Sequence, residues 1–134
     1  MAARLGALAP VRVPADIKGY YEYLLSPFET TFVGLGGCDF GREAIDALLS
    51  NKRTDLISNV LKGYNPGGRV YALMALDGLR RRGVRLSENT VATMAKVRNL
   101  PVGVSTCVGD IVTSGLTARQ AIALLQGKPV VFKQ

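Results

Sequence analysis

One stretch constrains the fold more than any other. It opens with Asn65-Pro66, closes with Gly83, and runs Val-Tyr-Ala-Leu-Met-Ala-Leu from Val70 to Leu76 in between. An asparagine just before a helix accepts hydrogen bonds from the unpartnered amides of its first turn. Proline at the first helical position gives up only an amide that has no partner there, and glycine beyond the last turn takes the left-handed backbone that ends a helix. The punctuation predicts a helix over 66–82. Its centre is apolar on every face, and such a helix is stable in water only when other elements surround it. The chain has the length to supply them: a fold of 134 residues buries roughly 68% of the surface its unfolded chain exposes.

Five further helices are predicted around this one. Pro14 opens the first, where Ile17, Tyr20, Tyr21 and Leu24 share a face, and Pro27 ends it. A second covers about Phe40 to Ser50, with Ile45, Leu48 and Leu49 as its buried stripe. Thr54 is the expected cap of a third, in which Leu56, Ile57, Val60 and Leu61 repeat at helical spacing up to Gly63. Ser87 caps a fifth, with Val91, Met94 and Ala95 turned inward, and it stops before Pro101. Thr117 caps a sixth, where Ala118, Ala121, Ile122 and Leu125 form the stripe. Residues 30–37 and 102–108 mix β-branched residues with glycine and read as extended pieces. The reading is an all-α fold of five or six short helices packed as consecutive antiparallel hairpins, with minor extended segments. Residues 1–134 make one helical domain, with 1–13 a flexible arm and 128–134 a β-prone tail.

The hairpins pair the second helix with the third and the fourth with the fifth. Glu43 to Leu49 and Tyr71 to Leu79 are loosely alike. Together with the helix start Gly68-Arg69-Val70-Tyr71-Ala72-Leu73, this resembles small bacterial HEAT-like helical-repeat proteins over about residues 40–99. The resemblance implies a stack of helix pairs and no particular activity.

Composition removes several functions. There is no histidine and there are two cysteines, so metal sites and histidine-based catalysis lose their usual groups. No metal and no cofactor are expected. The apolar runs reach only about seven residues, far short of a bilayer span, so membrane insertion is not expected. The net charge is +7 and is unevenly placed: 8 basic and 8 acidic residues precede Arg80, whereas 9 basic residues against Glu88 and Asp110 follow from there. An acidic partner is the natural complement of that asymmetry, although basic side chains also simply keep a small domain soluble.

Arg80, Arg81, Arg82 and Arg85 form the strongest basic run, extended by Lys96 and Arg98, and by Arg119, Lys128 and Lys133 if the fold gathers them. Three consecutive arginines cannot share one helix face, and cations at a helix C-terminus are also favoured by its dipole. From Arg80 onward Phe132 is the only aromatic residue, so base stacking is not expected and nucleic acid would be held by loose phosphate contact. Gly67, Gly68 and Arg69 place small residues and a cation at a helix start, which suits either an anion or close packing on a neighbour. Gly34, Gly36, Gly37 and Gly41 do not make a dinucleotide loop, because the third position of the fingerprint is Asp39. Asp39, Glu43 and Asp46 read as surface and helix-start charges, and Asp110 as a turn residue.

Cys38 and Cys107 belong to no Cys-x-x-Cys pair. They read as a disulfide tethering two glycine-rich segments, which would place the protein in the periplasm or outside the cell, or as two buried thiols. A complete chain without the bridge reads as cytoplasmic. The leading functional expectation is a non-enzymatic protein-binding module that turns a basic surface to an acidic partner, a description that fits a bacterial accessory or immunity-type role. Sequence-independent nucleic-acid binding is the alternative, and an enzyme of unknown class comes last.

Overall fold

The computed structural model describes residues 4–26, 33–35, 40–100, 104–108 and 111–126. The all-apolar helix lies where its composition requires. Helix α4 (Pro66–Arg81) packs against each of the other five helices among the described residues: α1 (Ala15–Leu25), α2 (Phe40–Ser50), α3 (Thr54–Lys62), α5 (Glu88–Asn99) and α6 (Ala118–Leu125). Val70, Tyr71, Ala72, Leu73 and Leu76 are all buried, and they join Leu24, Leu48, Leu56, Ile57, Leu61 and Met94 in one core. The protein is therefore mostly helical. Helices α2 with α3 and α4 with α5 do touch, but the most extensive packing is α1 on α2 and α3 on α4.

The ends of α4 follow the sequence punctuation. Asn65 Oδ1 accepts from the Gly68 amide, and the asparagine Nδ2 donates to the Ser26 carbonyl just beyond α1. At the other end Gly83 has a φ of +92°, and its amide donates to the Arg80 carbonyl while that of Val84 donates to Leu79. This is the left-handed closure that glycine makes without a Cβ penalty. Ser87 caps α5 through the Thr90 amide, and Thr117 and Gln120 form a reciprocal capping box on α6.

Two local expectations differ. Arg53, not Thr54, precedes α3, and no side chain caps that end; Arg53 instead spends its guanidinium on Asp55 and on the Arg12 carbonyl. On α5 the inward stripe is Thr90, Thr93, Met94 and Val97, while Val91 is half-buried and Ala95 exposed. The threonines can be buried because their hydroxyls are satisfied locally, Thr90 by Ser87 and Thr93 by the Asn89 carbonyl.

Within the segment read as a flexible arm, residues 4–13 lie along α3. The Leu5 amide donates to the Lys62 carbonyl, and Asn59, itself buried, exchanges two hydrogen bonds with the Ala9 backbone. Asn59 also donates to the Tyr21 hydroxyl, so one side chain joins this segment to α1 and α3.

The extended pieces form a three-stranded sheet in the order β1 (Val33–Leu35), β2 (Val104–Val108), β3 (Ile111–Leu116). β1 is parallel to β2, with Gly34 opposite Cys107, and β3 returns antiparallel with Ile111 opposite Val108. β3 was not anticipated. Its register shifts between Val104 and Thr106, and Gly115, at φ +80°, supplies the backbone such a bulge needs. The tail 128–134 lies outside the described residues.

Candidate functional site

Helices α4, α5 and α6 border one groove, in which Asp77 is the one carboxylate among the described residues. Asp77 sits on the outer side of α4, one turn before Arg81, and the two form an ion pair at 3.1 Å. Arg98, from the last turn of α5, reaches the other oxygen of Asp77 at 3.9 Å. Arg119, on the first turn of α6, donates from Nη2 to Asn99 Oδ1 at 2.8 Å. The three arginines line this groove of about 420 Å³. Its floor is apolar, made by Leu73 and Met74 of α4 with Ile122 and Ala123 of α6.

Gly78 opens the groove further. A Cβ built on it would meet nothing within 4 Å, so the missing side chain leaves room and is not demanded by helix packing. Gly costs about 1 kcal/mol relative to Ala inside a helix. With three arginines and one carboxylate, the lining carries an excess of two positive charges. The Asp77 carboxylate does not close the site. Arg81 is 76% exposed, and ion pairs at such positions contribute about 0–1 kcal/mol, so an incoming anion can take its place.

A smaller recess of about 230 Å³ lies on the neighbouring side of α4. Ile45 and Leu49 of α2 and Tyr71 and Ala75 of α4 line it, with Arg42 and Asp46 also contributing. Met74 borders both concavities.

Of the residues singled out in the sequence, Arg81 and Arg98 come together here, joined by Arg119. Arg80, Arg82, Arg85 and Lys96 are exposed and line no part of the groove; Arg80 and Arg81 occupy the last turn of α4, where its dipole favours them. Lys128 and Lys133 lie outside the described residues. Asp77, Gly78, Met74 and Ile122 were not anticipated. The one available signal was the Asp77–Arg81 spacing of four, which puts the pair on one helix face.

Gly67, Gly68 and Arg69 are all buried. Gly68 lies so close to the Leu24 carbonyl that a Cβ would overlap its oxygen, and its amide already donates to Asn65. Arg69 Nε donates to the Gly63 carbonyl at 2.6 Å, and burial lowers its pKa from the usual arginine value. At Gly68 the missing side chain permits the close packing of α4 on the end of α1. Cys107 lies in β2, while Cys38 lies outside the described residues, and there is no disulfide among the described residues. The parallel pairing of β1 with β2 already ties those two parts of the chain together. Asp39 and Asp110 also lie outside the described residues; Glu43 and Asp46 are exposed on α2.

Among the described residues no group of histidine, cysteine and carboxylate side chains is arranged to hold a metal ion, and no helix is long and apolar enough to cross a membrane. No family model matches the chain, and no curated protein and no solved structure matches it either.

Proposed function

We propose that the protein is a non-enzymatic binding module that takes an acidic segment of a partner protein into the groove between α4, α5 and α6. The observation that carries this reading is the convergence of Arg81, Arg98 and Arg119 from three helices on one apolar-floored groove that holds a single carboxylate. Guanidiniums bind carboxylates bidentately and are weakly hydrated, so they suit recognition of acidic side chains. The groove volume lies within the range typical of small-ligand sites, which fits a few residues of a partner rather than a broad flat interface. The chemistry also favours binding over catalysis: among the described residues the titratable groups of the groove are three arginines and Asp77, which two of them engage. The likeness to HEAT-like helical proteins belongs to the same reading, since stacked helices present grooves of this kind.

Nucleic acid is the weaker reading, because among the described residues no aromatic side chain lines the basic groove on which a base could stack. Fluorescence anisotropy with labelled hexaglutamate and with a labelled DNA duplex separates the two. Replacing Arg81, Arg98 and Arg119 together by Gln is expected to weaken hexaglutamate binding roughly tenfold. The triple change of Arg80, Arg82 and Arg85 to Gln, which removes the same charge outside the groove, is expected to weaken it less than about threefold. Equal losses in both variants, or a tighter and steeply salt-dependent grip on the duplex, would overturn the proposal.

A further inference from the structure

We infer that the acidic partner segment is extended and carries an apolar side chain two residues from its carboxylate, the acid entering the arginine groove and the apolar side chain the recess across Met74. This inference rests on the proposed function and adds the chemistry of the second subsite. The two concavities adjoin through Met74 but differ in kind: one is lined by three arginines against a single aspartate, the other by Ile45, Leu49, Tyr71 and Ala75 together with Arg42 and Asp46, whose charges balance. A half-buried methionine between them suits a shared boundary, since its unbranched chain adapts its shape to what lies on either side.

The spacing follows from α4 itself. The α4 residues facing the basic groove centre about three positions beyond those facing the recess, ~5 Å along the axis. They are also turned by roughly a quarter-turn, which at the helix surface adds a similar displacement, so the sites lie ~8 Å apart. In an extended chain alternate side chains share a face about 7 Å apart, whereas adjacent ones point to opposite faces. An acid and an apolar residue separated by one residue therefore fill both sites. When they are adjacent they do not.

Four end-blocked peptides test this against the full chain, with Kd read by NMR titration: Glu-Ala-Leu, Glu-Leu-Ala, Glu-Ala-Ala and Gln-Ala-Leu. The expected order places Glu-Ala-Leu roughly tenfold tighter than Glu-Ala-Ala, from burial of the leucine. Glu-Leu-Ala, of identical composition, should bind no better than about twofold over Glu-Ala-Ala. Ala75→Leu, which fills the recess and leaves the arginines in place, should abolish the advantage of Glu-Ala-Leu over Glu-Ala-Ala. Equal affinities for the two leucine isomers, or a leucine gain that survives Ala75→Leu, would overturn the two-site inference and leave the acidic-partner reading standing. If Glu-Ala-Leu bound no better than Gln-Ala-Leu, the acidic-partner reading itself would fall. The wild-type titrations decide the matter even if Ala75→Leu does not fold.

Discussion

Two glycines on one helix should respond with opposite sign to the same substitution. At Gly68 a methyl group would overlap the Leu24 carbonyl oxygen, which is backbone and cannot swing aside, and would lie in contact with Val60. Helix α4 cannot retreat cheaply, because it packs against every other helix among the described residues. Inserting a methyl into such a contact costs about 1–3 kcal/mol, and the gain in helix propensity recovers less than 1 kcal/mol so close to the N-terminus. The expected net loss for Gly68→Ala is ~2 kcal/mol. At Gly78 the new methyl meets nothing within 4 Å and the backbone is ordinary helix, so Gly78→Ala should stabilise by about 1 kcal/mol. Urea titration followed by far-ultraviolet circular dichroism reads both, with unchanged m-values required for the comparison. The gap between the variants is then ~3 kcal/mol, or about 10 °C in Tm for a chain of this size. A Gly68→Ala protein as stable as the wild type would refute the close approach of α4 to the end of α1.

Three further outcomes follow from the same structure. Leu73→Ala or Leu76→Ala, at positions 1% and 0% exposed, should each cost about 2–5 kcal/mol in denaturant titration through the cavity left behind; a loss near zero would move α4 to the surface. Burial raises the pKa of Tyr21, partly offset by its bond from Asn59. The folded state therefore holds that phenolic proton more tightly, so its contribution to stability is intact below about pH 10 and falls as pH rises through the elevated value. Tyr21→Phe should flatten this alkaline slope, and a slope identical to wild type would contradict the assignment. Asp77→Asn should tighten hexaglutamate binding by roughly threefold, since it removes the internal competitor of the groove; weaker binding in that variant would show that Asp77 orients Arg81 and Arg98 instead.

The parts of the fold that depend on local chemistry could be read from the sequence. Asn65-Pro66 and Gly83 delimit α4 because caps act within a turn of the residues that make them, and the apolar circumference of Val70–Leu76 requires burial wherever the rest of the chain goes. The buried face of α5 was misread for the same reason. Thr90 and Thr93 look polar in isolation, and only their hydrogen bonds to Ser87 and the Asn89 carbonyl let them turn inward. Pairing β1 with β2 joins residues more than 70 positions apart, and no local pattern encodes that. The groove lies at the same limit. The basic run Arg80–Arg82 draws attention by adjacency, yet adjacent helical residues point in different directions, and only Arg81 enters. Its companions Arg98 and Arg119 come from helices that the tertiary fold alone brings alongside.

The most direct measurement of the account is an NMR titration of the isotopically labelled wild-type protein with hexaglutamate. Shifts are expected to concentrate on the Nε–H signals of Arg81, Arg98 and Arg119 and on the amides of Gly78 and Ile122, with little change at Arg80, Arg82 and Arg85. Shifts centred on those exposed arginines, or on the aromatic group of Tyr20, Tyr23 and Phe40, would contradict it.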